Sequence, residues 1–226
     1  MGLGHGASIV RSGLVLHLDA ANKKSYPGTG TAWNDMSGNS NNGTLVNSVG
    51  YSSNNSGSMV FDGIDDYCDA GTSSTLKPSY MTVSTWIKFT TISANNRILS
   101  DWHQNASSDR WIFYTANTTQ VQWYIHTSIG GDVGIPFTIN LNQWYYLTGT
   151  FDGTNTILYV NGDFVSSASK SGVLVSGLGE SVRVGRQAES GGSHNGSIAS
   201  VKMYNRALSA AEVKQNFNAL RGRYGI

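Results

Sequence analysis

Ile157-Leu-Tyr-Val160 runs into Asn161-Gly162 and continues as Asp163-Phe-Val165, and that dipeptide commits the chain more firmly than any other step along it. Asn-Gly between two alternating runs is the preferred type I′ hairpin turn, because both central residues need positive φ. The backbone around position 160 is therefore expected to be antiparallel sheet. The same period of two recurs upstream. Residues 82–89 place Val83, Thr85, Ile87 and Phe89 on one face and Ser84, Trp86 and Lys88 on the other. Residues 121–126 separate Val121, Trp123 and Ile125 from Gln122, Tyr124 and His126. Arg110-Trp-Ile-Phe-Tyr114 alternates less decisively. Leu14-Val-Leu-His-Leu18 reads as a first strand, and Thr44-Leu-Val46 and Ser58-Met-Val-Phe61 as short ones. The polar stretch up to Gly43 reads as a long loop anchored by Trp33, and loops of that length are often functional.

One helix is expected, at about 209–220. Ser209 and Glu212 form an S-x-x-E capping box, and Leu208 with Val213 fits the hydrophobic staple across it. Val213, Phe217 and Leu220 then share one face.

The 226 residues suit one all-β sandwich domain, with the strand and loop of 1–58 integrated with a core of 59–213. Only 13% of residues are charged, about half the usual share, so Asn, Ser, Thr and Gly must supply solubility. A net charge of +1 gives no electrostatic footprint for nucleic acid or an anionic membrane. No run approaches the roughly 20 apolar residues of a membrane span. Cys68 is the single cysteine, so an internal disulfide is excluded. The first residues lack the charged and apolar regions of a signal peptide, which predicts synthesis and folding in a reducing cytoplasm.

The stretch Met59-Val-Phe-Asp-Gly-Ile-Asp-Asp-Tyr67 opens a series of motifs. It continues through the Trp86 strand, Trp144-Tyr-Tyr146, Phe151-Asp-Gly153, Tyr159-Val-Asn-Gly162, Val184-Gly-Arg186, Gly196-Ser-Ile198 and Tyr204-Asn-Arg-Ala-Leu-Ser209. Taken in order, these resemble the laminin-G-like branch of the concanavalin A-like lectins. The resemblance implies a jelly-roll sandwich of two antiparallel sheets with a short C-terminal helix. The flanks, Gly13 to Gly28, Trp33-Asn-Asp-Met-Ser-Gly38, Asn41-Asn-Gly-Thr44 and 216–226, resemble lectin-like structural proteins of tailed, especially marine, bacteriophages. That implies a virion component, such as a capsid decoration, fibre or tail accessory protein, which forms a homo-oligomer among other virion proteins.

In such a fold the outward residues of one sheet form a groove. Sugar binding needs flat aromatic faces beside side chains that hydrogen-bond hydroxyls. Trp86, Tyr114, Tyr124 and His126, with Asp101, Trp102 and His103 in a nearby loop, are the candidate carbohydrate-binding set, for a host or environmental glycan. The alternative is that these residues pack beneath loops or against another subunit, where Trp and Tyr are also enriched. Asp62, Asp65 and Asp66 offer hard oxygen ligands for calcium around a Gly turn. Turn capping by Asp62 explains the same residues without a metal. Family members often carry an acidic residue before the strand ending at Tyr204, and Ala199-Ser-Val-Lys-Met-Tyr204 has none.

Enzymatic activity is not expected. The glutamates are Glu180, Glu189 and Glu212, with no paired-carboxylate run of the glycosidase kind. His5, His17, His103, His126 and His194 show no zinc spacing. A polysaccharide lyase built on Tyr124 and His126 would also need a charge-neutralising cation.

Overall fold

The computed structural model describes residues 8–102, 110–174, 180–186 and 192–226. The strands are β1 (Leu14–Asp19), β2 (Ala32–Trp33), β3 (Gly43–Val46), β4 (Gly50–Ser52), β5 (Ser58–Asp62), β6 (Tyr67–Asp69), β7 (Met81–Phe89), β8 (Asn96–Asp101) and β9 (Trp111–Thr115). They continue as β10 (Gln120–His126), β11 (Asp132–Thr138), β12 (Trp144–Phe151), β13 (Asn155–Val160), β14 (Asp163–Ser169), β15 (Arg183–Val184), β16 (Gly192–Ser193) and β17 (Asn195–Tyr204). One α-helix, α1 (Ala210–Leu220), follows.

The strands form two sheets. The first runs β14-β13-β12-β7-β17-β5-β4, with β1 also on β17, and the second runs β11-β10-β9-β8-β15-β6-β3-β2. Every pairing is antiparallel except the two-residue contact of β16 with β8. This is the all-β sandwich expected from the alternation. The Asn161-Gly162 turn joins β13 to β14 with φ of 54° and 77°, as a type I′ hairpin requires. Pro136 lies on β11, an edge strand, where a missing N–H is tolerated.

The core fills the space between the sheets. Val83, Ile87 and Phe89 of β7 and Leu147 and Phe151 of β12 join Trp111, Phe113, Val121, Trp123 and Ile125 of the opposite sheet. Trp123 links the two sheets across the gap. Its ring occupies the space beside Gly149, where an added Cβ would lie 2.3 Å from the indole, and its Nε1–H donates to Thr156 Oγ1 at 2.8 Å. Trp33 is fully buried, so the long polar segment after β1 is anchored as expected.

The outer face of the β7 sheet is covered. Its alternation is as predicted, with Trp86 opposite in direction to the core residues of β7, but Trp86 is fully buried. The Tyr224 ring stacks on it at 4.0 Å and 18°, and the Phe217 ring of α1 at 5.6 Å and 19°. Tyr146 and Leu220 complete this second apolar layer. α1 is held by the predicted capping box: Ser209 Oγ accepts from Glu212 N, and the Glu212 carboxylate accepts from Ser209 N at 2.9 Å. Leu208 and Val213 are buried in one cluster beneath it, the staple pair. Asn216 ties the N-terminal segment down, accepting from Val10 N at 2.8 Å and donating to Tyr204 Oη at 3.0 Å.

Glu212 is also gripped by Arg206, with contacts of 2.5 and 2.9 Å. Those bonds, followed by its capping role, hold its pKa at about 2, below the ordinary 4.5. A carboxylate lowered in this way stabilises the fold fully above the unfolded value, and that contribution disappears as pH falls through the folded value. Ser209→Ala is expected to cost about 1 kcal/mol at neutral pH. The penalty of Glu212→Gln should shrink as pH drops from about 4.5 towards about 2. Urea denaturation across that range checks both; a pH-independent Glu212→Gln penalty would contradict the assignment.

Candidate functional site

β8, β9 and β10 turn a second set of side chains away from the core. In this register Tyr114 pairs with Gln122 and with Arg97, and Tyr124 pairs with Ile112 on one side and Gly134 on the other. Asn95, Arg97, Trp102, Ile112, Tyr114 and Tyr124 line a cavity of about 190 Å³ on this face. That is smaller than the roughly 300–1,000 Å³ typical of pockets for drug-sized ligands.

Three aromatic rings shape it. Trp102 meets Tyr124 with centroids 5.3 Å apart at 63°, and Tyr114 meets Tyr124 at 5.9 Å and 88°. The rings thus form a corner rather than a flat stack. Gly134 makes room for it. A Cβ there would lie 2.0 Å from Gln122 Nε2 and 2.7 Å from Tyr124 Cδ2. Tyr114 Oη–H donates to Gln122 Oε1 at 2.5 Å, which fixes the phenol. Arg97 extends over the Tyr114 ring, its guanidinium carbon 5.4 Å from the centroid. Desolvation lowers the Arg97 pKa, although a guanidinium stays cationic at any working pH. Burial raises the Tyr114 pKa, so its hydroxyl remains a neutral donor.

The sequence-predicted residues divide. Tyr114, Tyr124 and Trp102 come together in the cavity. His126 projects from the same face of β10, where its Nδ1 lies 2.6 Å from Asp132 Oδ1, outside the lining. His103 lies outside the described residues. Trp86 must be reassigned: it belongs to the other sheet, and Tyr224 and Phe217 occupy the faces that a sugar would need.

Asp101 must be reassigned too. It ends β8 rather than sitting in a loop, and is fully buried. Lys77 Nζ contacts its Oδ1 at 2.5 Å and Arg110 Nη1 its Oδ2 at 2.8 Å. Lys77 also donates to Glu180 O, and Arg110 Nη2 to Pro78 O. Removing one member of such a buried network typically costs about 3–5 kcal/mol, because the remaining charges lose their compensation. Asp101 therefore fixes the chain immediately before Trp102 and makes no contact with the cavity. The sequence reading missed Asn95, Arg97 and Ile112. For Ile112, its position two residues from Tyr114 was the available signal.

The acidic turn between β5 and β6 is a separate cluster. Gly63 has φ of 80°, and the Asp62 carboxylate caps the turn by accepting from Ile64 N at 2.8 Å. Asp65 is half-buried, whereas Asp66 is 3% exposed. One oxygen from each carboxylate lies within 4.8 Å of the others. Asp66 Oδ2 accepts from Asp62 N, but its buried Oδ1 has no hydrogen-bond partner among the described residues. Desolvation, with repulsion from Asp62 and Asp65, raises the Asp66 pKa. Three clustered carboxylates, one of them with an unsatisfied buried oxygen, are a donor set that fits a hard, calcium-type cation.

The fold and its motifs define a lectin-type sandwich. The family profile described as the concanavalin A-like lectin/glucanases superfamily matches residues 61–214, and the chain belongs to that family. No curated protein matches the chain by sequence. Among solved structures, the chain is similar to the binding domain of Paraclostridial Mosquitocidal Protein 1, with 16% identity and a TM-score of 0.74 over 92% of this chain and 52% of that one. It is also similar to the botulinum neurotoxin serotype D ligand binding domain, solved in complex with N-acetylneuraminic acid, at 16% identity and a TM-score of 0.69 over 92% and 51%. A third is domain 4 of AbnA, an extracellular GH43 arabinanase from Geobacillus stearothermophilus solved with arabinotriose. There the identity is 16% and the TM-score 0.66, over 90% of this chain and 97% of that one. The chain spans about half the length of the two toxin domains.

Proposed function

We propose that this protein is a non-enzymatic glycan-binding module whose site is the cavity on the outer face of β8, β9 and β10. The observation that carries the reading is the aromatic corner of Trp102, Tyr124 and Tyr114, edged by Asn95 and Arg97. One aromatic face stacks on the C–H groups of a sugar while the polar edge meets its hydroxyls. The described lining residues include no carboxylate and no histidine, so they offer a glycosidase no acid–base pair. The sugar complexes of the AbnA and botulinum domains support the reading at the level of the shared fold.

Glycan-array screening followed by calorimetry tests it. Tyr124→Ala is expected to weaken binding at least about tenfold, since loss of an aromatic stacking partner is worth about 1.4 kcal/mol or more. Trp86→Ala should instead lower stability by about 3–5 kcal/mol, as a core Trp truncation does. A folded protein silent on every glycan overturns the proposal.

The place of the module is proposed on other grounds. The flanking segments resemble those of tailed-phage lectin-like proteins, which supports a homo-oligomeric virion component made in the host cytoplasm beside other virion proteins. Proteomics of purified particles checks this, and consistent absence of the chain from them removes it.

For the acidic turn we propose calcium, held by the carboxylates of Asp62, Asp65 and Asp66 with water completing the shell. Millimolar Ca²⁺ should raise the melting temperature of the wild-type protein but not that of Asp66→Asn. Equal melting curves with calcium and with chelator would remove the site.

A further inference from the structure

We infer that the glycan site continues past Tyr124 onto the His126–Asp132 pair, a second subsite for the next unit of a hydroxyl-bearing oligosaccharide. The subsite rests on the glycan-binding reading above and sets the minimum length of its ligand at two sugar units.

The register of β10 and β11 carries it. The outward residues of β10 run Gln122, Tyr124, His126, and His126 pairs with Asp132 just as Tyr124 pairs with Gly134. Tyr124 is a wall of the cavity. The pair therefore stands one outward step beyond that wall, about 6.8 Å along an antiparallel strand, a step of the order of one sugar unit. A cavity of about 190 Å³ leaves a longer saccharide to extend past its rim. The pair can be reached from there, since the His126 side chain is 14% exposed and that of Asp132 41%. β11 is also the last strand of its sheet, so no further strand of the sheet lies outside Asp132.

The chemistry of the pair suits hydroxyls. A carboxylate only accepts, so the 2.6 Å contact to Asp132 Oδ1 requires that His126 Nδ1 carry the proton. In the neutral imidazole Nε2 is then an acceptor. Neither Nε2 nor Asp132 Oδ2 has a hydrogen-bond partner among the described residues. The imidazole fixes one carboxylate oxygen and so orients the other before a ligand arrives. Two neighbouring acceptors match two neighbouring sugar hydroxyls, each of which donates. His126 is thus both a contact and the positioning residue for Asp132.

Calorimetry on the intact chain tests this with glucose, galactose, mannose and arabinose, each offered as the monosaccharide and as its di- and trisaccharide. In a series that binds, the disaccharide is expected to be at least about tenfold tighter than the monosaccharide, because a hydrogen bond to a charged acceptor is among the stronger kind. That ratio should fall to about one in Asp132→Ala. It should fall part of the way in His126→Phe, which keeps the ring's bulk and releases the carboxylate. A structural disturbance of the cavity would instead weaken both sugars together and leave the ratio intact. Circular dichroism confirms that each variant is folded. A disaccharide no tighter than its monosaccharide, or a ratio that survives in folded Asp132→Ala, overturns the subsite and leaves the glycan-binding reading standing. Failure of every series to bind also overturns the subsite, and silence on the glycan array as well overturns both.

Discussion

The Trp123 indole against the bare backbone of Gly149 is the contact on which the rest of the molecule depends. It joins the two sheets, and a Cβ at 149 would leave no room for the ring. The indole N–H bonded to Thr156 Oγ1 fixes its rotation, so Trp123 cannot turn over. In a strand successive side chains alternate between faces, and a one-residue slip would send each to the wrong side. Locking Trp123 inward therefore locks Gln122, Tyr124 and His126 outward. The cavity's central ring is placed by a core residue that never touches the cavity.

The third ring of the corner is held by different physics. Trp102 lies just past the end of β8, where no ladder fixes it. The fully buried Asp101, clamped between Lys77 and Arg110, supplies the constraint. Burial lowers the Lys77 pKa while Asp101 pushes it back up, so the network sits near the balance of desolvation against attraction. Such a cluster adds little net stability compared with an apolar packing of equal volume. What it adds here is position: Lys77 and Arg110, from segments on either side of β8, converge on the residue preceding Trp102.

Much of this was legible in the sequence, and the failures have a common cause. Alternation separated the faces of β7 and β10 correctly, because side-chain period is a property of one strand. It carried no information on what covers each face. Trp86 and Tyr124 look alike by that criterion, yet the first is sealed under Phe217 and Tyr224 and the second lines a cavity. The lid over Trp86 comes from residues some 130 positions later, beyond the reach of any local pattern. Arg97 was lost for a more specific reason. The β8–β9 register shifts between Arg97 and Leu99, so the run Asn96-Arg-Ile-Leu-Ser-Asp101 has no clean period of two. An irregularity of this kind re-aims a side chain at the cost of the pattern that would reveal the strand.

That irregularity bears on function. Ile98 and Leu99 are both fully buried, whereas Arg97 remains half-buried on the cavity side above Tyr114. Partial desolvation of a guanidinium is costly, and an aromatic face returns only about 0.5–1 kcal/mol at exposed sites. In a chain where 13% of residues are charged, solubility already rests on neutral polar groups. The register shift therefore sets Arg97 at the polar edge of the aromatic corner, while its two neighbours complete the core.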